Sequence, residues 1–277
     1  GRSARTEAGN ARTSSLRAAP GRPISEEPEA VPAGIVASME TLALVMAGGA
    51  GERLRPLTDH RAKPAVQFGG FYRIIDFTLS NCINSGLRQV FVLTQYKSYS
   101  LSNHLKVTYG FLSRRVGEFI DEVPAQMQRG GDWYQGTADA VRQNLTLVEQ
   151  HCPRRVLVLS GDHVYKMDYR LMERSHLERA AQVTLAVCRV DVDKARSAYG
   201  VVQVDEQGVI LDFVEKSPDP PVIPGTRQCL ASMGIYLFDF ETLGEWLAMG
   251  GDDFGHNVLP GMLRQGKTIH AYDFTEN

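Results

Sequence analysis

The sequence predicts an α/β fold, a doubly wound and mostly parallel sheet, on three observations. Short apolar runs alternate along the chain with segments of helical period. Residues 42–46 (LALVM), 90–94 (VFVLT) and 155–160 (RVLVLS) are nearly continuous in apolar residues, as parallel strands buried on both faces tend to be. The first run ends in a glycine-rich turn, and open sheets of this kind bind ligands at the carboxyl ends of their strands.

The elements follow in order. Residues 42–46 form the first strand, and a helix over 76–85 leads to the strand at 90–94. Ala138, Val141, Leu145 and Val148 recur at spacings of three and four, so a helix runs from Thr137 to about residue 150. Strand 155–160 is followed by a helix over 168–180 and a strand over 182–190. Residues 200–215 read as two strands turning at Gln207-Gly208, and 218–224 as a proline-rich loop. A strand over 230–238 (LASMGIYLF), a helix over 241–249 and a short strand over 268–272 complete the series. There is no internal repeat.

Composition narrows the functional classes. A chain of 277 residues with 43% hydrophobic and 22% charged residues is ordinary for a soluble globular protein. Its net charge of −2 gives no basic field for nucleic acid, and no apolar run reaches the ~18 residues of a membrane span. Cys82, Cys152, Cys188 and Cys229 are widely separated, which fits neither a zinc cage nor a disulfide framework and suits a reducing cytoplasm. Residues 1–40 differ from the rest. Arg2, Arg5, Arg12, Arg17 and Arg22 lie among Ser, Ala and Pro with almost nothing to bury, so this stretch is expected to be disordered. It has no apolar core of a secretory signal, and its basic Ser/Ala character overlaps with organelle transit peptides. With Met39 just before the first strand, the simpler expectation is an extension upstream of the true start.

The glycine turn carries the first chemistry. Gly48, Gly49 and Gly51 let backbone N–H groups converge on an anion, and Arg53, Arg55, Arg61 and Lys63 follow. A Walker A loop needs Lys directly after its last glycine, and a dinucleotide fingerprint needs a third glycine where Leu54 stands. Both fail. The glycines alone fit a plain turn beside solvated charges better than a phosphate loop. With Arg53 and Lys63-Pro64 at this spacing, G-G-x-G-x-R-L…K-P resembles the signature of the sugar-phosphate nucleotidyltransferases.

Further candidates sit at other strand and helix ends. Gly161-Asp162 places a carboxylate at the end of strand 155–160, where it could hold Mg²⁺ or cap a following turn. His163 beside it fits a hydrogen-bonding role better than a ligand role. Gly136-Thr137 opens a helix whose N-terminus could meet an anion or a base edge, or Thr137 could simply cap it. Glu215-Lys216 leaves a strand before a proline loop, either as a sugar-phosphate contact or as a solvated pair. Ser232 could donate to a sugar hydroxyl or satisfy backbone.

The order of these motifs is more specific than any one of them. The glycine loop, K-P-A-V at 63–66, F-G-G at 68–70, R-I-I-D-F at 73–77, L-S-N-C-I-N-S-G at 79–86, W-Y-x-G-T-A-D-A at 133–140, S-G-D-H-V-Y-K-M-D at 160–168, F-V-E-K at 213–216 and S-M-G-I-Y at 232–236 occur together. From about residue 42 onward the chain closely resembles the glucose-1-phosphate adenylyltransferases (ADP-glucose pyrophosphorylases) of the bacterial glycogen pathway. Pyrimidine-nucleotide relatives share the glycine loop but not the block at 63–86.

The resemblance implies a Rossmann-like nucleotidyltransferase domain over 41–277 that joins ATP to α-D-glucose 1-phosphate and releases pyrophosphate, with Mg²⁺. It makes Asp162 the metal-binding catalytic carboxylate and sets Arg53 and Lys63 on the triphosphate, with Gly48, Gly49, Gly51, Gly136 and Thr137 around the nucleotide. Tyr134, Gly200, Glu215, Lys216 and Ser232 would line the glucose 1-phosphate site. An effector site would involve His60, Arg61, Gln67 and Arg73. His60 and Gln67 depart from the enteric-type pattern of Lys and His, which leaves the effector open. The resemblance further implies a cytoplasmic homotetramer without nucleic-acid or membrane partners. The chain stops before the family's W-R-D-V-G-T segment, with its second metal-binding aspartate, and before the left-handed β-helix. Residues 41–277 alone are therefore expected to turn over poorly. Two other functions fit the same motifs: a UTP- or dTTP-dependent sugar-1-phosphate nucleotidyltransferase, and a non-catalytic regulatory subunit.

Overall fold

Alternation along β1 (Thr41–Met46) sets the two faces of the sheet. Leu42 and Leu44 point into one apolar cluster and Ala43 and Val45 into the other, all fully buried, so helices must cover both sides. The computed structural model describes residues 40–49, 51–126 and 133–276. Apart from Glu40, the expectation for residues 1–40 falls outside the described residues.

After β1 come a small hairpin, β2 (Gln67–Phe68) and β3 (Tyr72–Arg73), and helix α1 (Ile75–Asn84). Then follow β4 (Gln89–Thr94), α2 (Tyr99–Tyr109), β5 (Phe119–Pro124), α3 (Thr137–Gln143), α4 (Leu145–Glu149), β6 (Arg155–Ser160) and α5 (Tyr169–Glu178). The second half holds β7 (Val183–Asp191), α6 (Val192–Ala195), β8 (Gly200–Val204), β9 (Ile210–Glu215), β10 (Gln228–Asp239) and α7 (Phe240–Ala248). A π-helical stretch, Phe254–Val258, leads into α8 (Leu259–Arg264) and β11 (His270–Asp273).

The main sheet runs β11-β7-β10-β6-β1-β4-β5, with the β8–β9 hairpin attached to β10. Strands β6, β1, β4 and β5 are mutually parallel, as is the β7–β11 pair, which bears out the expected α/β sheet. The exception is β10, inserted antiparallel between β6 and β7. Ile75, Leu79, Leu101, Leu105 and Met172 bring α1, α2 and α5 onto the Ala43/Val45 face. Ala138, Val141, Val148, Trp246, Leu247 and Met262 bring α3, α4, α7 and α8 onto the other.

The expected helix from Thr137 to about 150 is two helices. Asn144 breaks it with φ −107 and ψ 6, and its amide donates to Ala140 O at 2.8 Å and to the Tyr134 hydroxyl at 2.9 Å. A short amide that bonds its own backbone competes with helix continuation.

At the amino ends of the strands, Arg155 and Glu173 are buried and ion-paired at 3.1 Å. Nearby, His176 on α5 is 1% exposed, with Nδ1 at 2.8 Å from Thr184 Oγ1 and Nε2 at 3.3 Å from Asp239 Oδ1. Burial lowers its pKa; Asp239 opposes this, Arg155 reinforces it and Glu173 opposes it weakly. The folded state thus favours the neutral ring. As pH falls through the unfolded value near ~6.5, the unfolded chain takes up a proton that the folded chain resists, and stability is lost. The urea midpoint should therefore drop as pH is lowered from about 7.5 to about 5.5, and His176→Gln should flatten that slope. An unchanged slope in the variant would assign the acid sensitivity to other groups.

Candidate active site

The carboxyl ends of β1 and β6 lie side by side, with Met46 opposite Ser160. The glycine loop leaves one end and Gly161-Asp162 leaves the other. Gly161 N donates to Met46 O at 2.9 Å, and an added Cβ there would lie 3.0 Å from that same oxygen. Glycine is required at Gly51 for two reasons. Its φ is +67, and a Cβ would stand 2.7 Å from Lys63 Cβ and 2.9 Å from Thr58 Cγ2. The loop closes on itself as Lys63 N donates to Gly49 O at 3.3 Å and Thr58 Oγ1 to Gly51 O at 2.9 Å.

This closure aims Lys63 across the loop. Its Nζ lies 2.6 Å from Asp162 Oδ2, while the Ser160 hydroxyl donates to Asp162 Oδ1. Burial pushes the Asp162 carboxyl up, but the hydrogen bonds from Lys63 and Ser160 and the nearby His163 outweigh it, leaving the pKa below its usual value. Asp162 is therefore an anion at neutral pH. It binds the side chains of Ser160 on its own strand and of Lys63 beyond the glycine loop rather than capping a turn; the cap of α5 is Asp168, which accepts from Arg170 N. His163 Nε2 stands 3.5 Å from Asp162 Oδ1, and burial keeps its pKa low against the pull of Asp162.

Asp162 opens onto a cavity of about 650 Å³ whose walls include Ser160, Gly200, Glu215, Ser232 and Thr137. Glu215 faces Gly200 in the β8–β9 register. A Cβ on Gly200 would lie 2.5 Å from Glu215 Oε2 and 2.6 Å from Phe213 Cζ, and one on Gly255 would lie 3.0 Å from the same Oε2. The carboxylate is wedged between two glycines, which fixes it toward the cavity. Lys216 has φ +47 and an exposed ammonium 3.2 Å from Glu215 Oε1, at the rim rather than in the wall. Ser232 lies at a bulge of β10 where Gly234 has φ +65; it accepts from Gly234 N at 3.2 Å. It thus satisfies backbone and lines the cavity at once.

Other expected residues are placed or engaged differently. Tyr134 is outside the cavity wall: its ring packs on the core and its hydroxyl accepts from Asn144. Thr137 does not cap α3, whose cap position is Gly136. Its hydroxyl donates to Asp253 Oδ2 at 3.1 Å and accepts from Phe254 N at 3.2 Å. The N–H groups of Ala138 and Asp139 are taken by Asp252 O at 2.9 and 3.0 Å, so this helix start is docked on a loop and not offered to an anion. Arg53 is exposed and makes no hydrogen bond or ion pair among the described residues. Of the effector candidates, Arg73 donates to Ala65 O and Ser100 Oγ, and its pKa is lowered by burial and by Arg61 nearby. Gln67 faces Arg73 across the small hairpin, and His60 is exposed.

Asp253 and Tyr236 line the cavity and were not singled out from sequence. Asp253 accepts from Gly255 N and His256 N; burial raises its pKa and these bonds, with Thr137, more than reverse it. The available signal was an Asp two residues before Gly255, a capping pattern that is common in any loop.

The donor chemistry at Asp162 suits a hard divalent cation. Among the described residues no three His, Cys, Asp or Glu side chains gather around one point. Asp162, ionised at a strand end and facing the cavity, fits an ion such as Mg²⁺, which is usually held by one or two carboxylates together with substrate phosphates.

The model of the nucleotidyl transferase family matches residues 42–277. The chain belongs to that family. Three curated relatives are similar over most of the chain. A glucose-1-phosphate adenylyltransferase 2 of Vibrio parahaemolyticus is 49% identical over 242 residues, 85% of this chain and 59% of the relative. A protein of the same name from Alkalilimnicola ehrlichii is 50% identical, covering 85% and 57%. A glucose-1-phosphate adenylyltransferase of Methylococcus capsulatus is 50% identical with the same coverage. The chain thus spans less than two thirds of the length of these relatives. Among the described residues no helix is long and apolar enough to cross a membrane.

Proposed function

We propose that the protein transfers the adenylyl group of ATP to α-D-glucose 1-phosphate, giving ADP-glucose and pyrophosphate for glycogen synthesis. The observation that carries this reading is the Asp162 carboxylate at the end of β6, paired with Lys63 beyond the glycine loop and opening on a cavity walled by Gly200, Glu215 and Ser232. The names of the similar proteins support the choice of substrates.

A sugar-phosphate oxygen attacks the α-phosphorus in line and pyrophosphate departs, so the protein needs no side-chain nucleophile. Its task is to position two anions and offset their repulsion. The amides of Gly48, Gly49 and Gly51 cradle the triphosphate, and Lys63 moves from Asp162 to a phosphate oxygen. Mg²⁺ bound by Asp162 would supply the remaining positive charge to the phosphates. Glu215 and Ser232 take sugar hydroxyls, and Lys216 swings from the rim to the sugar phosphate. The protein would act in the cytoplasm as a homotetramer, with a sugar-phosphate effector near Arg61 and Arg73.

Pyrophosphate release by the full-length protein with ATP, UTP and dTTP in turn tests the reading. Selective use of ATP is expected. Preference for a pyrimidine nucleotide would move the protein to another specificity, and tight binding without turnover would mark a regulatory subunit. Lys216→Ala should raise KM for glucose 1-phosphate by roughly 10- to 150-fold, the worth of a charge-assisted hydrogen bond of ~1.5–3 kcal/mol. KM for ATP should hardly move. A parallel rise in both constants would give Lys216 a role in the fold instead.

A further inference from the structure

Arg142 lies on α3, with its side chain 13% exposed and outside the cavity wall. Its guanidinium uses every edge. Nε donates to Leu247 O at 2.9 Å, Nη1 to Asp139 Oδ1 at 2.9 Å and more weakly to Asp252 Oδ1 at 3.4 Å, and Nη2 to Gly251 O. Three of these acceptors belong to the end of α7 and the loop after it, and one to its own helix.

That loop has the backbone of a hinge. Gly250 and Gly251 are consecutive left-handed residues, with φ +96 and +87. Immediately beyond the hinge stand Asp253, in the cavity wall, and Gly255, against the Glu215 carboxylate. The loop is seated on the start of α3 through Asp252 O, which accepts from Ala138 N and Asp139 N. Gly136 leaves room for this seat, since a Cβ there would lie 2.3 Å from Asp252 O. Asp139 is itself oriented from three sides, accepting from Gln135 N, Gln143 Nε2 and Arg142.

We propose that Arg142 is a positioning residue for the sugar side of the cavity, clasping the Gly250–Gly251 hinge so that Asp253 and Gly255 stay in register with Glu215. A planar fork is suited to this because Nε, Nη1 and Nη2 hold their donors in fixed directions toward separate acceptors, where an ammonium offers three donors from one compact point. The clasp holds one wall only. Lys63, Asp162 and the glycine loop rest on β1 and β6 and do not depend on it.

The inference rests on the proposed reaction, and the test separates the two. In the full-length protein, Arg142→Met should raise KM for glucose 1-phosphate on the order of 10-fold, below the ~10²-fold that a full 1 Å misplacement can cost, with KM for ATP within about twofold. Arg142→Lys, which keeps the stem and charge, should fall between parent and Met variant. It also serves as the readout if Arg142→Met fails to fold. A lowered melting temperature with unchanged KM ratio would overturn the inference, as would equal rises in both KM values. If the parent uses a different sugar 1-phosphate, the functional reading fails, and the same ratio measured on that sugar 1-phosphate decides the role of Arg142.

Discussion

Asp162→Asn in the full-length protein should lower kcat by roughly 10²–10³-fold or more while both KM values change little. The carboxylate sits where two parallel strands end, held as an anion by Lys63 at 2.6 Å and by Ser160. Asparagine keeps the shape and the bond to Ser160 but removes the charge that a divalent cation would need. Charge stabilisation at the reacting phosphate is lost chiefly in the transition state, and such a loss lowers kcat rather than affinity. Ser160→Ala is the control: it weakens the support of Asp162 without neutralising it and should cost much less. Steady-state kinetics beside a melting curve check the claim, because a folded Asp162→Asn protein with near-normal kcat would remove Asp162 from the chemistry.

The strands that build this site were legible because they are buried on both faces and so almost purely apolar. β1, β4 and β6 stand within one residue of the expected segments. Elements with one solvated face were harder. β5 carries Asp121 and Glu122 and buries only Phe119 and Val123, which gives no continuous apolar run. α2 is rich in Ser, Asn and Thr and buries only Leu101, Leu105 and Tyr109. The antiparallel course of β10 was not readable either, since its sequence is as apolar as that of its parallel neighbours. At the site, motifs located Asp162, Gly200, Glu215 and Ser232 around one cavity. They could not reveal that Thr137 is spent on Asp253, because that pairing joins residues 116 positions apart. Side-chain contacts across such separations are set by packing and leave no periodic trace in the chain.

At the opposite ends of the same strands, Arg155→Met should destabilise the fold by about 3–5 kcal/mol, the usual effect of removing one partner from a buried ion pair. Arg155 Nε lies 3.1 Å from Glu173 Oε1, with side chains only 6% and 11% exposed, and the Thr41 hydroxyl donates to the same oxygen. Without Arg155, Glu173 would keep one neutral donor for a charge cut off from water, and its desolvation would go uncompensated. Glu40, which also pairs with Arg155 at 3.2 Å, is 28% exposed and can turn to solvent or to Arg154, so it adds little to the loss. The double replacement Arg155→Met with Glu173→Met should recover most of the stability, because no unpaired charge then remains buried. Urea unfolding of parent, single and double variants measures both steps. A single variant within about 1 kcal/mol of the parent, or a double variant as unstable as the single, would contradict the account. Thr41 pairs with Arg155 and Met46 with Ser160, so the network is a full strand length from Asp162, roughly 17 Å at the usual rise. KM and kcat of the folded fraction should therefore match the parent, even where the midpoint of unfolding does not.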